Sequence, residues 1–584
     1  MFSVLQKLSW FFKQNWKRYT LAIALLLLIN IIEMIPPKAI GFAIDDIKTG
    51  TLTMKGILSY IELLFAVTIT GYIVSYFWQY YLFGGAFLLE KTMREKLMNH
   101  LVKMTPTFYQ RNRTGDLMAR ATNDLKAISV TAGFGILTLV DSSMYMLTIL
   151  FMMGFTINWK LTIAAILPLP IMAYAMNVFG NKLHKRFTIA QDAFGDMNDK
   201  VLESIAGVRT IRAYVQEKAD ERRFHALATD IYEKNIEVAK IDALFEPTVK
   251  MLVGLSYLIG LVYGAILVFQ NEVTLGELVS FNVYLGMLIW PMFAIGELIN
   301  VMQRGNASID RVNETLSYKS DVVDDQEPIH VAKPSIITFE NVSFSYPFSN
   351  LDSLKNVTFS LKGGQTLGIV GKTGSGKTTL IRQLLRQYPT GKGSISISGI
   401  PIEKMKTEDV LSWIGYVPQE HILFSKTVKE NILFGSQHAG EADLSHAIQL
   451  AALEKDIVFL PQGLETIVGE KGVSLSGGQK QRISIARAMI GHPEILILDD
   501  SLSAVDARTE AAILEGMKRE RKGKTTIITT HRLSAVRHAD LILVMDEGQI
   551  VEKGTHATLV AENGWYKEQY ERQQLHGSER EGSL

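Results

Sequence analysis

The sequence predicts a membrane-embedded, all-α domain of six helical spans, followed by an α/β domain with a phosphate-binding loop. Six apolar segments, each near the ~20 residues that cross a bilayer, all lie before about residue 305. From Ile336 onward, short strands alternate with helices, as in α/β domains. A glycine-rich loop follows one of these strands. At 584 residues the chain is also too long for a single core.

The bulk composition excludes several classes of protein. The net charge of +1 gives no argument for a nucleic-acid partner, and we expect none. The chain has no cysteine, so disulfides and thiolate metal sites are excluded. Hydrophobic residues make up 47% of the chain, a share that soluble and membrane proteins have in common, so their distribution along the sequence decides the class.

The six predicted spans differ in the loops that connect them. Pro36 and Pro37 should kink the first span, which membrane helices tolerate. The loops at 84–133 and 182–247 are long and rich in Lys and Arg, which places both loops and both chain ends in the cytosol. The spans are expected at 19–43, 57–83, 134–157, 161–181, 248–269 and 275–300.

Before the first span, Val4 to Phe12 mixes apolar and polar residues, which indicates a short helix on the membrane surface or, alternatively, a buried soluble helix. No cleavable signal is expected at the N-terminus. The predicted divisions are a membrane domain at 1–314, a polar linker at 315–335, a nucleotide-binding domain at 336–572 and a disordered polar tail at 573–584.

The segment from Gly371 to Thr378 matches the phosphate-loop pattern between a strand and a helix. Its glycines let backbone N–H groups turn toward one anion at the helix N-terminus. Lys377 should reach the terminal phosphates of ATP, and Thr378 should bind Mg²⁺. The predicted nucleotide-binding residues of this loop are Gly371, Lys372, Thr373, Gly374, Ser375, Gly376, Lys377, Thr378 and Thr379.

A second apolar strand, Ile495 to Leu498, ends in Asp499. An aspartate at this place commonly holds the magnesium shell in phosphate-loop proteins. The alternative is a core strand followed by a helix cap, because Ser501 and Ser503 come next. The phosphate loop upstream favours the magnesium role.

Between these two motifs, Leu475–Gln479 reads Leu-Ser-Gly-Gly-Gln, and here the chain resembles the ATP-binding cassette (ABC) family. A loop that merely caps the next helix is the structural alternative. The resemblance implies that two cassettes enclose two nucleotides, so that this helix end contacts ATP bound on the opposite cassette. The residues that it assigns to the nucleotide are Ser476, Gly477, Gly478 and Gln479.

The resemblance also assigns roles to four other positions. Tyr346 matches the aromatic residue that stacks on adenine, and an ordinary strand aromatic is the alternative. Gln419 matches the loop glutamine that senses Mg²⁺ and contacts the membrane domain. Asp506 lies in the loop that communicates across the cassette dimer. His531 matches the histidine that holds the terminal phosphate, although a lone histidine is more often structural.

Six spans preceding one cassette resemble an ABC exporter half-transporter, and Gly469–Gly472 resembles a short segment of exporter cassettes. The membrane half, including Phe281 to Gln303, looks most like one subunit of a heterodimeric bacterial multidrug exporter. This resemblance implies ATP and Mg²⁺ as cofactors and the plasma membrane of a bacterial cell as the location. It implies a second half-transporter, the lipid bilayer and hydrophobic or cationic small molecules as partners.

Asp500 departs from the family pattern, which has a glutamate that polarises the attacking water. Aspartate keeps the charge but moves the carboxylate back by about 1.5 Å, one C–C bond. A misplacement of ~1 Å can lower a rate about a hundredfold. We therefore predict a site that binds ATP and hydrolyses it slowly, in a heterodimer whose partner carries the glutamate. The alternative is a slow homodimer in which Asp500 is a weak base.

Acidic residues within spans invite a functional interpretation because they are costly there. Glu33 and Asp141 are candidates to attract cationic compounds, and interhelical hydrogen bonding is the alternative. The turns at Arg111–Asp116 and Arg212–Tyr214 are candidate docking helices for the cassettes, or else solvated basic loops. The expected cavity lining is Tyr145, Phe281, Tyr284 and Trp290.

The sequence thus predicts an ATP-driven efflux transporter for hydrophobic or amphipathic compounds. A lipid or lipopeptide flippase would use the same parts. A regulatory subunit that binds ATP without moving cargo is a third possibility.

Overall fold

The computed structural model of the chain describes residues 3–436, 438–469 and 472–581. The chain divides into two compact units. One comprises the chain up to Val102 together with Thr114–Tyr318, and the other comprises Lys103–Arg113 together with the chain from Lys319 onward. A short piece of the first long loop therefore belongs to the nucleotide-binding unit, and it ends within the turn Arg111–Asp116 that the sequence indicated as a docking candidate.

Six helices of the first unit are long and apolar enough to cross a membrane, which confirms the predicted membrane domain. Each predicted span coincides, to within one residue, with part of one of these helices. The long loops are helical extensions of the spans, as their helix-forming composition indicates. The spans run over Trp16–Thr49, Met54–Leu101, Thr114–Thr156, Trp159–Ala206, Glu217–Phe269 and Leu275–Ser317.

Several spans are interrupted. In the first, Glu33 and Met34 separate two helices because Pro36 and Pro37 lack the N–H groups that a continuous helix needs. Side chains of the sixth span satisfy carbonyls near this break: Tyr284 Oη donates to Met34 O at 2.6 Å. The helices within the spans are Trp16–Ile32, Ile35–Thr49, Met54–Leu101, Thr114–Ala119, Leu125–Ala132, Phe134–Val140, Met146–Thr156, Trp159–Ile166, Pro168–Ala206, Glu217–Asp242, Phe245–Phe269, Leu275–Met287 and Ile289–Ser317.

The third span contains two π-helical turns, Arg120–Asp124 and Asp141–Tyr145. Each turn carries a buried aspartate that is bonded to the sixth span. Asp124 accepts from Ser308 Oγ at 2.8 Å and is also paired with Arg311. The third and sixth spans are therefore joined at two levels.

The N-terminal segment forms two short helices, Ser3–Lys7 and Ser9–Gln14. Val4, Leu8 and Phe11 are fully buried among the spans. The apolar face that the sequence offered to a membrane surface is thus occupied by the helical bundle.

The described residues of the second unit form ten strands in two sheets. The strands are β1 (Ile336–Ser345), β2 (Asp352–Lys362), β3 (Thr366–Gly371), β4 (Lys392–Ile397), β5 (Ile400–Pro401), β6 (Ile414–Val417), β7 (Ile495–Asp499), β8 (Thr525–Thr529), β9 (Leu541–Asp546) and β10 (Gln549–Gly554). The first sheet is antiparallel with the order β2-β1-β4-β5. The second has the order β10-β9-β3-β8-β7-β6, and all its pairings except β10 with β9 are parallel.

Helices cover the parallel sheet, whose strands β7 and β8 are buried along their whole length. We expected a disordered tail from Gln573; instead, the last helix continues to Glu581. The α-helices after the sixth span are Lys377–Leu384, Thr407–Ser412, Val428–Leu433, Glu441–Leu450, Glu454–Phe459, Gly477–Met489, Ala507–Glu520, His556–Ala561 and Trp565–Glu581.

Candidate functional site

The candidate site lies at the carboxyl edge of the parallel sheet. The phosphate loop follows β3, Gln419 follows β6, Asp500 follows β7 and His531 follows β8. These strands run parallel in the order β3-β8-β7-β6, so their ends meet at one edge. Ligands of open α/β sheets bind in the crevice at this edge. The fold therefore brings together residues that are far apart in the sequence.

The phosphate loop has the backbone that its glycines permit. Gly374 and Gly376 have φ angles of 83° and 101°, in the left-handed region. Lys377, at the start of the next helix, donates from Nζ to Gly371 O at 2.9 Å and to Lys372 O at 2.8 Å. The ammonium group is thus folded onto the loop. The buried Ser375 Oγ has no hydrogen-bond partner, as expected of a hydroxyl that serves a bound anion.

Asp499 lies at the centre of a small polar network. Its Oδ1 accepts from Thr378 Oγ1 at 3.1 Å and from Thr529 Oγ1 at 2.6 Å, and its Oδ2 accepts from Tyr416 Oη at 3.4 Å. The carboxylate is only 1% exposed. A carboxylate and a threonine hydroxyl are oxygen ligands of the kind that Mg²⁺ prefers, so this pair fits the ion. Asp499 Oδ1 and Thr378 Oγ1 thus lie together at the sheet edge, as the predicted magnesium role requires.

Asp500 is held by its backbone. Its N–H donates to both Thr529 O and Thr529 Oγ1 at 3.0 Å. Its φ of 47° lies in the left-handed region, which aspartate tolerates better than most residues. Burial raises the pKa of the carboxyl group, and the positive charges of His531 and Lys377 oppose this shift. Within the described part of the chain, the carboxylate accepts no hydrogen bond from another side chain.

His531 faces the same edge from the end of β8. Burial lowers its pKa, and the charge of Lys377 lowers it further, while Asp500 raises it. The neutral imidazole can donate a hydrogen bond from one ring nitrogen and accept one at the other. Gln573 Nε2 donates to His531 O at 2.8 Å, which fixes the backbone of the histidine.

Tyr346 is held by the phosphate-loop helix. Its hydroxyl lies 3.0 Å from Thr379 Oγ1, and Arg382 donates to it at 3.2 Å. The ring packs edge-on against Phe344 and Tyr388, each at 5.1 Å between centroids. This aromatic residue is thus placed beside the phosphate loop, as the adenine role requires.

The signature caps its own helix, Gly477–Met489. Ser476 Oγ accepts from Gln479 N at 3.3 Å, and Gln479 Oε1 accepts from Ser476 N at 2.9 Å. The structural alternative, a loop that caps the next helix, is therefore confirmed. Among the residues that the structure describes, no hydrogen bond joins Leu475–Gln479 to Gly371–Thr379.

The remaining predicted positions are Asp506, Gln419 and the exporter-type segment Gly469–Gly472. Asp506 caps Ala507–Glu520 by accepting from Thr509 N at 3.0 Å. Gln419 is exposed just beyond β6. In the exporter-type segment Gly469–Gly472, Glu470 and Lys471 lie outside the described residues.

The two candidate docking turns differ. In the first loop, the helix Pro106–Arg111 belongs to the nucleotide-binding unit. Gln110 Nε2 donates to Tyr388 Oη at 2.8 Å, and Arg111 lies 5.3 Å above the ring of Phe348. In the second loop, no residue of the helix Val208–Ala213 is buried.

The two membrane carboxylates have aromatic hydrogen-bond donors. Tyr145 Oη donates to Glu33 Oε2 at 2.8 Å, and Trp290 Nε1 donates to Asp141 Oδ2 at 3.0 Å. In the described part of the chain, neither carboxylate forms an ion pair with Lys, Arg or His. The expected cavity lining is partly wrong, because the side chains of Phe281 and Tyr284 are fully buried in the apolar core of the spans.

Sequence reasoning missed residues that support the site. Thr529 bonds to both Asp499 and Asp500, Tyr416 bonds to Asp499, and Arg382 bonds to Tyr346. The alignment of Asp499 with Thr529 on adjacent parallel strands places the threonine there. In the sequence, the pair Thr529-Thr530 before His531 could have drawn attention to these threonines. Only the register of the two strands shows that Thr529 contacts Asp499.

Two family models match the chain. The model described as "ABC transporter transmembrane region" matches residues 19–292, and the one described as "ABC transporter" matches residues 354–503. A solved structure, "Structure of a bacterial Atm1-family ABC exporter with ATP bound", superposes with a TM-score of 0.78 at 26% identity. The match covers 95% of this chain and 99% of that one.

Several curated proteins are similar over most of their length. "Probable multidrug resistance ABC transporter ATP-binding/permease protein YheI" of Bacillus subtilis is 66% identical, with 100% of both chains covered. "Multidrug resistance-like ATP-binding protein MdlA" of Escherichia coli is 42% identical, over 97% of this chain and 96% of its own. An "ATP-dependent lipid A-core flippase" of Syntrophus aciditrophicus is 34% identical, over 81% and 78% respectively.

Proposed function

This chain belongs to the ABC transporter family as a membrane ATPase of exporter fold, and we propose that it exports hydrophobic or amphipathic compounds as one half of a heterodimer. We propose further that its own phosphate-loop face hydrolyses ATP slowly. Fast hydrolysis would then occur at the second site, to which this chain contributes the signature.

The observation that carries the slow-site proposal is the environment of Asp500. Its carboxylate is one methylene shorter than that of glutamate. Two hydrogen bonds from its N–H to Thr529 hold the backbone in place. The backbone therefore cannot shift to compensate for the shorter side chain. Phosphoryl transfer depends mainly on the positioning of the attacking water. A shortfall of about 1.5 Å should therefore slow hydrolysis while leaving ATP binding intact.

The residues at the sheet edge fit ATP and Mg²⁺. Thr378, Asp499 and Gln419 would hold Mg²⁺, which supplies positive charge against the developing negative charge of the phosphates. The backbone N–H groups of Gly371–Thr379 and the ammonium group of Lys377 would bind the phosphates. Tyr346 would stack on adenine, and His531 would donate a hydrogen bond to the terminal phosphate.

The signature supports a second cassette. Ser476 and Gln479 already form a complete capping box, so the helix N-terminus is ordered to receive an anion. Within the described residues it is not bonded to the phosphate loop of the same chain. We propose that Ser476–Gln479, with Asp506, completes the site on a partner that carries the glutamate. A homodimer with a weak base remains the alternative.

Two docking contacts would link ATP binding to the spans. The first loop contacts its own nucleotide-binding unit through Gln110 and Arg111. The tip of the second loop is exposed: Tyr214 is 73% and Val215 is 81% exposed. Exposed apolar groups of this kind mark interaction sites. We propose that Arg212–Tyr214 docks on the partner's cassette.

The membrane carboxylates support a cationic cargo. Among the described residues, the carboxylates of Glu33 and Asp141 accept side-chain hydrogen bonds from the neutral donors Tyr145 and Trp290 alone, and burial of such charge is costly without a cation. A positively charged amphiphile would supply this cation. The membrane half also resembles the BmrC subunit of the BmrC/BmrD multidrug exporter, and relatives named for multidrug resistance support the same cargo class.

Lipid flipping is the second candidate function, because a relative named as a lipid A-core flippase shares most of the chain. A regulatory subunit without cargo is the third. For each, we propose the bacterial plasma membrane as the location, with both chain ends in the cytosol. The loops at 84–133 and 182–247, rich in Lys and Arg, support this orientation.

Transport by reconstituted vesicles tests the proposal. Vesicles that contain this chain and a glutamate-bearing partner should accumulate a fluorescent cationic amphiphile when ATP is added. Vesicles with this chain alone should do so poorly. ATP-dependent movement of a labelled phospholipid but not of the amphiphile would favour the flippase. Movement of neither, with intact ATP binding, would favour the regulatory subunit.

A further inference from the structure

A group of basic and aromatic side chains lies at the start of the first span, far in sequence from the nucleotide site. It consists of Trp10, Lys13, Trp16, Lys17 and Lys96, which we call the basic-aromatic cluster. We propose that this cluster binds the headgroup of an anionic phospholipid.

The N-terminal helices present the cluster in a fixed orientation. Val4, Leu8 and Phe11 are buried among the spans, so the opposite face must point outward. Lys7 Nζ anchors the segment to the sixth span, with 2.8 Å to Asn306 Oδ1 and 2.5 Å to Asp310 Oδ1. The N-terminal helices therefore cannot turn their apolar face to lipid. The face that carries the basic-aromatic cluster is the one that would contact a membrane surface.

The cations of the cluster have no ion-pair partner among the described residues. In the part of the chain that the structure describes, Lys13, Lys17 and Lys96 form no hydrogen bond and no ion pair. Two acidic residues near Lys96 on the same helix are already paired: Glu90 with Arg94 at 2.5 Å and Glu95 with Lys91 at 3.8 Å. Three ammonium groups are therefore available for an external anion.

Two partly exposed tryptophans lie at and just before the start of the first span. Trp10 is 39% and Trp16 is 58% exposed, and Lys96 Nζ lies 5.6 Å from the centre of the Trp10 ring. Trp16 is the first residue of the first span. Tryptophan is enriched at membrane interfaces because its ring is apolar and its N–H is polar.

These observations favour a lipid headgroup over a soluble anion. Lys13 and Lys17 flank Trp16, the first residue of the first span, where phospholipid phosphates are concentrated, and the tryptophan rings offer surface to acyl chains. On the proposed orientation, the cluster faces the cytosolic leaflet, whose anionic lipids attract basic residues beside a span. Each ammonium group near such a surface strengthens binding about fivefold.

Lipid binding to the purified full-length chain tests this site. Native mass spectrometry would compare retention of phosphatidylglycerol with that of phosphatidylcholine. We expect preferential retention of phosphatidylglycerol, and K13Q/K17Q should weaken it about 25-fold, with K96Q adding about fivefold. The matched control is K48Q/K55Q, which removes two exposed, unpaired cations near the other ends of the first and second spans and should change retention less than twofold.

A second measurement uses the tryptophans. Phosphatidylglycerol with brominated acyl chains should quench the fluorescence of the wild-type chain more than that of W10F/W16F. If the double variant K13Q/K17Q does not insert into the membrane, the single variants K13Q and K17Q replace it. Each should weaken retention of phosphatidylglycerol about fivefold. Retained ATP binding shows that each variant is folded.

The proposal is overturned if K13Q/K17Q and K48Q/K55Q retain phosphatidylglycerol equally. It is also overturned if phosphatidylcholine binds as tightly as phosphatidylglycerol. If soluble glycerol phosphate displaces the lipid at an equal concentration, the ligand is a free phosphate, and the lipid assignment is wrong. None of these outcomes depends on transport or on the rate of ATP hydrolysis.

Discussion

Gln110 Nε2 donates a 2.8 Å hydrogen bond to Tyr388 Oη, and the Tyr388 ring packs edge-on against Tyr346 at 5.1 Å. Tyr388 therefore connects Gln110, in the first long loop, to Tyr346 of the proposed adenine site. Burial raises the pKa of Tyr388, so its hydroxyl is neutral at physiological pH and can accept this bond. The loop is thus placed to respond to nucleotide binding.

The Gln110–Tyr388 bond should matter for coupling rather than for binding. In Q110L, ATP affinity should stay within about twofold, while cargo moved per ATP hydrolysed should fall about two- to tenfold, since a net hydrogen bond contributes about 0.5–1.5 kcal/mol. Y388F should have the same effect, and the double variant should show no further loss. K103Q, which removes an exposed charge from the same loop outside the candidate docking turn Arg111–Asp116, is the control. If Q110L moves as much cargo per ATP hydrolysed as wild type does, this role is refuted.

Thr529 should stabilise the magnesium carboxylate. T529V keeps the shape but removes the hydroxyl that donates to Asp499 at 2.6 Å, so a buried acceptor loses a partner. We expect the free energy of unfolding to fall by about 1–3 kcal/mol and Mg²⁺-dependent ATP binding to weaken. T529S, which retains the hydroxyl, should behave nearly as wild type. Chemical unfolding with and without Mg-ATP measures both effects, and equal stability of T529V and T529S would contradict the prediction.

The pH dependence of stability should include a contribution from His531. Its pKa is lowered from the ordinary 6.5, so the unfolded chain binds more protons at pH values just below 6.5. Its contribution to the free energy of unfolding is therefore present above pH 6.5 and lost as the pH falls through this window. We expect the melting temperature of H531Q to drop less between pH 7.5 and pH 5.5 than that of wild type.

Asp500 contributes with the opposite sign. Its pKa is raised from the ordinary 3.8, so its contribution favours the folded state in acid and is lost as the pH rises through the folded-state value. D500N removes this contribution and also removes the charge that raises the pKa of His531, so its stability should fall more on acidification than that of wild type. Equal acid sensitivity of H531Q and wild type would show that the histidine is not responsible.

The membrane carboxylates should select cargo by charge. E33Q and D141N should each lower transport of a cationic amphiphile about tenfold, because a charge-assisted contact of about 1.5 kcal/mol is removed. Transport of a neutral compound of similar size should change little. Y145F keeps both carboxylates and removes the hydrogen bond from Tyr145 to Glu33, so it separates the loss of this bond from the loss of charge. If neutral and cationic compounds lose transport equally, the carboxylates act structurally.

The sequence predicts those parts of the structure that local pattern determines. The six spans and the phosphate loop follow from apolar length and from a glycine pattern after a strand. Contacts between distant segments do not. That Lys103–Arg113 joins the nucleotide-binding unit, and that Thr529 serves Asp499, depends on strand register and packing. The burial of Phe281 likewise depends on which helix face meets the core, which apolar composition leaves open.

The central claim is tested most directly by single-turnover ATP hydrolysis at the phosphate-loop face of this chain. The chain is paired with a partner whose own catalytic glutamate is replaced by glutamine, so that only the site with Asp500 can react. We predict slow hydrolysis with wild type and a gain of up to about a hundredfold in D500E, since the added methylene restores a reach of about 1.5 Å. ATP affinity should be the same in both. Fast hydrolysis by wild type, with no gain in D500E, would contradict the account.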